Sequence, residues 1–226
     1  MRSLIIIFFS FIYCIKAQQL PQEIQLKKGE VFDLLLILAK PNSSEKFKHY
    51  RETIIPIGQE MSYKPLGFTT IKKTILGNLQ PTSLILAKWD NIRLREQFIQ
   101  NITAKVADFH EQRKEIWDIF LPTYYEIDES KIIRFKKEKM YTLTAYWKKD
   151  DKDLTNFMHD WQSLIALNQG KNILILKDGR SPVGYYYNPD ILIFTEWDKE
   201  DDFISFKKAN STLNFEAVEN YTQFLF

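Results

Sequence analysis

Apolar and polar residues fall in blocks along this chain, and the blocks define most of its elements. Val31–Lys40, VFDLLLILAK, is a continuous apolar run of strand length, suited to a strand covered on both faces. Pro41–Glu45 follows, where Asn42 and Glu45 have the spacing of a capping box. Phe47, Tyr50, Ile54, Ile57 and Met61 then recur at steps of three and four, so a helix is predicted there, broken near Pro56. Tyr63–Leu76 reads as a second strand, Gly77-Asn78 as a turn and Pro81–Trp89 as a third strand. Asp90 is a natural N-cap for a helix carrying Leu94 and Phe98. A further helix is predicted over Thr103–Phe120, stopping at Pro122. Thr123–Phe135 supplies either a closing strand or a small hairpin around Asp128–Ser130.

The second half repeats the plan. Met140–Trp147 is a strand, and Asp150 and Asp151 stand where they can cap a helix with Leu154, Phe157, Trp161, Leu164 and Leu167 on one face. Gly170 ends that helix, Asn172–Leu176 is a strand, and Lys177–Asn188 is a turn-rich connector. Pro189–Asp198, PDILIFTEWD, is a near-copy of Pro81–Asp90, PTSLILAKWD, with five identities at a constant separation of 108 positions. Asp198 takes the capping position of a helix with Phe203 and Phe206, and Ala217–Phe226 is a last short helix or strand. Phe47-Lys48-His49 matches Phe157-Met158-His159 at a separation of 110. The chain is a duplication, with each copy ordered strand, helix, strand, strand, helix, which is most of a ferredoxin-like unit.

Composition alters the picture at the N-terminus. Met1-Arg2-Ser3 followed by the apolar run Leu4–Ile15 and Lys16-Ala17 reads as a signal peptide, 1–17, too short for a membrane span. The mature chain is then a polar lead-in over 18–30, a first repeat with an extra helix over 31–139, and a second repeat over 140–226. It is expected to be secreted or periplasmic, with no membrane association after cleavage. Cleavage leaves 29 basic against 29 acidic residues, which gives no electrostatic reason to bind nucleic acid. It also removes Cys14, the one cysteine, so disulfides and thiolate chemistry are excluded from the mature chain. Asn42, Asn101, Asn210 and Asn220 occupy glycosylation sequons, which matter in a eukaryotic source.

The two halves, each closing a strand on an aromatic-acid pair before a short helix, resemble the dimeric α+β barrel superfamily. Lys139–Thr212 carries the likeness best, with F-x-H-x-W-x-x-L-I, then NILIL, then ILIFTEWDKEDDFISF. It is similar to the small uncharacterised single-domain members, neighbours of the antibiotic-biosynthesis monooxygenases. The resemblance implies an α+β fold of two tandem ferredoxin-like halves forming an intramolecular barrel, and hence a monomer. Both faces of PTSLILAKWD are apolar, so sheet must cover sheet.

Four residues are the candidate ligand-binding positions. By the resemblance, Trp89 and Trp197 line the mouth of a cleft between sheet and helices, where relatives hold flat aromatic ligands. The alternative, which accounts for both copies, packs each Trp at the strand–helix junction and uses Asp90 and Asp198 as caps. Lys88 and Glu196 are equivalent charged positions in apolar strands; each must reach solvent, a partner or a ligand. His49 and His159 sit about 200° round their helices from Phe47 and Phe157, away from the sheet, and His110 lies beside Glu111 without metal-ligand spacing. Tyr185–Tyr187 forms either an aromatic binding edge or packing. No Walker loop or G-x-G-x-x-G occurs, and Gly179–Gly184 misses the G-x-S-x-G spacing. The expectation is a binder of a small apolar or aromatic ligand with no cofactor, haem being the weaker option and the catalytic residues unidentified. The alternatives are a cofactor-independent monooxygenase or isomerase and a non-catalytic structural or interaction protein.

Overall fold

The computed structural model describes residues 20–226, so the segment 1–17 expected to be a signal peptide, Cys14 included, lies outside the described residues. The chain is α+β and consists of two ferredoxin-like halves. The lead-in holds a short strand, β1 (Glu23–Leu26). The first half then runs β2 (Val31–Ala39), α1 (Ser44–Thr53), α2 (Ile55–Glu60), β3 (Lys64–Thr70), β4 (Lys73–Leu76), β5 (Ser83–Trp89), α3 (Ile92–Lys105), α4 (Phe109–Ile116) and β6 (Trp117–Glu126). After β7 (Lys131–Arg134) the second half runs β8 (Met140–Lys148), α5 (Thr155–Leu167), β9 (Gly170–Lys177), β10 (Ile191–Trp197), α6 (Glu200–Asn210) and β11 (Val218–Leu225). The first sheet has the order β3-β5-β2-β6, and the second repeats it as β9-β10-β8-β11 with β4 added beside β11.

Registers define which residues correspond. Val31 faces Trp89 across β2 and β5, and Met140 faces Trp197 across β8 and β10. One step along, Phe32 faces Lys88 and Tyr141 faces Glu196. Asp33 therefore corresponds to Thr142, and Leu35 to Thr144. Alternation sends Phe32, Leu34 and Leu36 into the space between the sheets, where they meet Leu84, Leu86, Leu143, Leu192, Phe194 and Phe224. Each such side chain contributes about 1.5–3 kcal/mol by leaving water. Asp33, Leu35 and Ile37 face the helices instead.

Hydrogen bonds among the described residues do not run unbroken around the two sheets, so the barrel is two face-to-face sheets stitched at their edges. At one seam the chain passes from β3 in the first sheet to β4 in the second, with Lys72 N–H donating to the Leu225 carbonyl at 2.8 Å. At the other, Tyr124 and Arg180 form a single antiparallel bridge with bonds of 2.8 and 3.0 Å. β1 pairs with β7, and their Ile24, Leu26 and Ile133 close one end of the inter-sheet core.

Several local expectations change. Asn42 has φ 60° and the helix begins at Ser44 with no side-chain cap bond, so the capping box does not form; Ser43 Oγ instead donates to the Lys40 carbonyl. Asp90 and Asp198 do not cap. Asn91 caps α3 by accepting from Leu94 N–H at 3.0 Å, while Asp90 pairs with Lys64 and Asp198 with Lys139. Asp150 and Asp151 likewise stand too early: α5 begins at Thr155, and Asp153 takes its N–H and hydroxyl. Tyr63–Leu76 is two strands in different sheets. The helix predicted over Thr103–Phe120 is the end of α3 plus α4, and Trp117–Phe120 already belongs to β6, whose edge position lets it hold Pro122.

The helix match also shifts. α1 and α5 begin 111 positions apart, and the same separation pairs buried Tyr50 with buried Trp161 and Ile54 with Ile165. Phe47 is 42% exposed whereas Phe157 is buried, so the repeated F-x-H is not a structural equivalence. Gly170 opens β9 rather than ending α5. A Cβ there would lie 2.8 Å from the Trp197 ring, so the close approach of indole to backbone requires glycine.

Candidate ligand-binding site

The helix-facing side of the first sheet is partly open. A cavity of about 270 Å³ lies between β2, β5 and the strands beside them and the helices α1 to α4. Leu35 and Ile85 form its floor, Phe47 and Tyr50 of α1 with Ile54 just after it form its roof, and Arg51, Ile55 and Pro65 stand at the rim. Leu35 and Ile85, in the middle of the two central strands, remain partly accessible. Their counterparts Thr144 and Ile193 are completely buried.

Two charged stations border this cavity. At one end Asp33 receives Arg95 through Nε at 2.8 Å and Nη2 at 3.3 Å, and Trp89 Nε1 donates to the same carboxylate at 2.8 Å. Both partners of the ion pair are buried. Burying two charges is costly, and the forked geometry plus the indole N–H offset that cost. Arg95 also lies over the Tyr124 ring, 4.6 Å from its centroid. Tyr63 completes this end; burial, with Asp33 nearby, raises its hydroxyl far above the usual tyrosine range and keeps it neutral.

Toward the other end is Arg113 of α4, stacked on Phe120, whose strand partner Ile37 lies four residues, about 13 Å of strand, beyond Asp33. Its Nε donates to Tyr50 Oη at 3.1 Å and its Nη1 to Tyr185 Oη at 3.0 Å. The guanidinium lies 4.0 Å from the Phe109 ring centroid and 4.5 Å from that of Phe120. Burial opposes its charge, but the Tyr50 and Tyr185 oxygens beside it hold its pKa above the ordinary arginine value.

Of the four residues singled out from sequence, the structure places Trp89 on the cavity wall and the others elsewhere. Trp197 is fully buried in the second half, where its Nε1 donates to Thr142 Oγ1 at 3.0 Å. Lys88 and Glu196 point between the sheets, toward the end closed by β1 and β7. Lys88 Nζ reaches both oxygens of Glu30 at 2.8 and 2.9 Å and the Gln25 carbonyl at 3.1 Å. Glu196 accepts from Tyr141 Oη at 3.0 Å and Lys136 Nζ at 3.4 Å. Burial, reinforced by Glu196, pushes the Tyr141 hydroxyl up to about 12. The side chains that lead away from the strands at these positions find partners in the lead-in and the β7 segment.

Asp33, Arg95, Tyr50 and Arg113 were not anticipated. A signal for two of them exists in the sequence: aligned on the second half, Asp33 replaces Thr142 and Arg95 replaces Phe203, opposite charges at positions that face the interior. His49 and His159 are exposed, and among the described residues no three His, Cys, Asp or Glu side chains gather to hold a metal.

No family model and no curated protein matches this sequence. Solved structures do match the fold. An anthrone oxidase-like protein aligns with TM-score 0.55 at 11% identity, covering 90% of this chain and 93% of its own. A double mutant of chlorite dismutase from Candidatus Nitrospira defluvii aligns with TM-score 0.50 at 7% identity, covering 88% and 91%. At such low identity the likeness is one of fold: this chain shares with them an α+β architecture of two ferredoxin-like halves.

Proposed function

We propose that this protein binds a small, flat, apolar ligand in the cleft between the first sheet and α1–α4. The observation that carries the reading is the accessibility of Leu35 and Ile85 on central strands, at positions fully buried in the second half. A site of about 270 Å³ is small for a drug-sized molecule and suits one to three fused rings. Its walls are aromatic and aliphatic, and its polar groups sit at the two ends, where they orient a ligand without crossing its faces.

The test is a titration with anthrone, followed by tryptophan fluorescence, because Trp89 and Trp117 both border the cleft. Saturable quenching is expected, and Ile85→Phe, which fills the floor, should weaken it at least tenfold while leaving the far-UV circular dichroism unchanged. Quenching that survives Ile85→Phe would put the ligand somewhere else and sink the proposal.

A second reading is cofactor-independent oxygenation of the bound molecule. Such chemistry needs a base to take a substrate proton. Among the described residues Asp33 is the one carboxylate on the wall, and both its oxygens are already engaged by Arg95 and Trp89, which leaves neither free to face a substrate proton. Binding is therefore the primary reading. Consumption of dissolved oxygen when anthrone is added would reverse that order.

A further inference from the structure

The extra helix α4 has no counterpart in the second half, and its main contribution to the cavity is Arg113. This cation is 8% exposed and has no carboxylate within ion-pair distance among the described residues. A guanidinium carries five N–H donors. Here two are used, and both acceptors are tyrosine hydroxyls rather than carboxylates. Nη2 has no hydrogen-bond partner and is not among the fully buried unpartnered atoms, so it reaches accessible space, and Arg113 lines the cavity.

Charge and shape agree. Asp33 and Arg95 cancel at the far end, which leaves Arg113 as the unbalanced charge inside. Arg51 adds a second positive group at the rim, with no ion-pair partner among the described residues. A buried cation facing an apolar slot is favourable when an anion joins it there, and the planar donor fork matches a carboxylate. We propose that the ligand of this cleft is a planar aromatic carboxylate, its ring over Leu35 and Ile85 and its carboxylate on Arg113. This rests on the cleft being a ligand site.

The experiment is a calorimetric titration of the full mature chain with 2-naphthoate and with its neutral isostere 2-naphthamide. At least tenfold tighter binding of the naphthoate is expected. Arg113→Met should erase that preference, bringing the affinity for naphthoate down to that of the amide measured in the same variant. Equal affinity of the two compounds for the unaltered protein would overturn the carboxylate assignment and leave the cleft standing. So would a preference that persists in Arg113→Met, since the anion would then sit on another group. If neither compound binds but anthrone does, the assignment also fails alone; if anthrone fails too, the cleft falls with it. The comparison on the unaltered protein decides the matter even if Arg113→Met does not fold.

Discussion

Above the second sheet, Trp161, Phe206, Trp197 and Phe203 sit ring against ring, with neighbouring centroids 5.0–6.0 Å apart, and all four are buried. Above the first sheet, the corresponding positions hold Tyr50, Phe98, Trp89 and Arg95, and the layer is hollow. Two differences account for this. Arg95 in place of Phe203 turns inward only because Asp33 replaces Thr142 beneath it. Tyr50, smaller than Trp161, packs against Phe109 of α4 and Trp117 at the β6 edge and accepts a hydrogen bond from Arg113, so α4 engages it there. The same fold thus serves once as a packed support and once as a container. The two layers differ in a few side chains and one added helix.

The most damaging way to probe that contrast is Arg95→Ala, which strands the buried Asp33 carboxylate. A loss of about 3–5 kcal/mol in urea-melt stability is expected. The double exchange Asp33→Thr with Arg95→Phe, which installs the second half's pair, should return stability to within about 1 kcal/mol of the parent or exceed it. A double variant no better than Arg95→Ala would show that the halves are not interchangeable here. In the opposite direction, Trp161→Tyr imposes the first half's residue on the packed layer. It should cost about 2 kcal/mol, a part of what full truncation of a core tryptophan costs. An unchanged melt would mean the aromatic stack is not tightly packed. The smallest effect concerns the helix starts. Asn91→Ala should cost about 1 kcal/mol through the lost cap bond on α3. Asp198→Ala, at the start of a helix without a side-chain cap, should shift the melt less; the reverse ranking would restore Asp198 as the functional cap.

Much of the architecture was legible in the sequence, because strand period, apolar runs and a matched Pro–Trp-Asp segment in each half report directly on sheet positions. The caps were less legible. In Trp89-Asp90-Asn91 two adjacent residues both have capping side chains, and the choice between them depends on Lys64, which competes for Asp90 from a neighbouring strand. The F-x-H repeat misled by one residue, because a chance likeness on partly exposed helix faces outweighed the less similar but buried Tyr50 and Trp161. The site was hardest to see. The repeated motifs mark positions where the two copies agree, whereas the cavity is made by positions where they differ. One charge difference was noticed, Lys88 against Glu196, yet both of those side chains find protein partners at the closed end of the sheets. The difference that matters, Asp33 and Arg95 against Thr142 and Phe203, involves residues far apart in the chain that only the register brings into correspondence.

β4 ties the order of synthesis to the order of folding. This strand leaves the ribosome about 150 residues before its hydrogen-bonding partner, Gln223–Leu225, is made. Until then its backbone donors and acceptors have only water, and pairings so remote in sequence form slowly. The same segment also meets β8, through mutual bonds between Tyr141 and Phe226. A ribosome stalled just before Gln223 would hold a chain with every described helix already made and the seam at β4 still unpaired. By taking β4 from the first half, β11 acts as a knot that holds the two halves together.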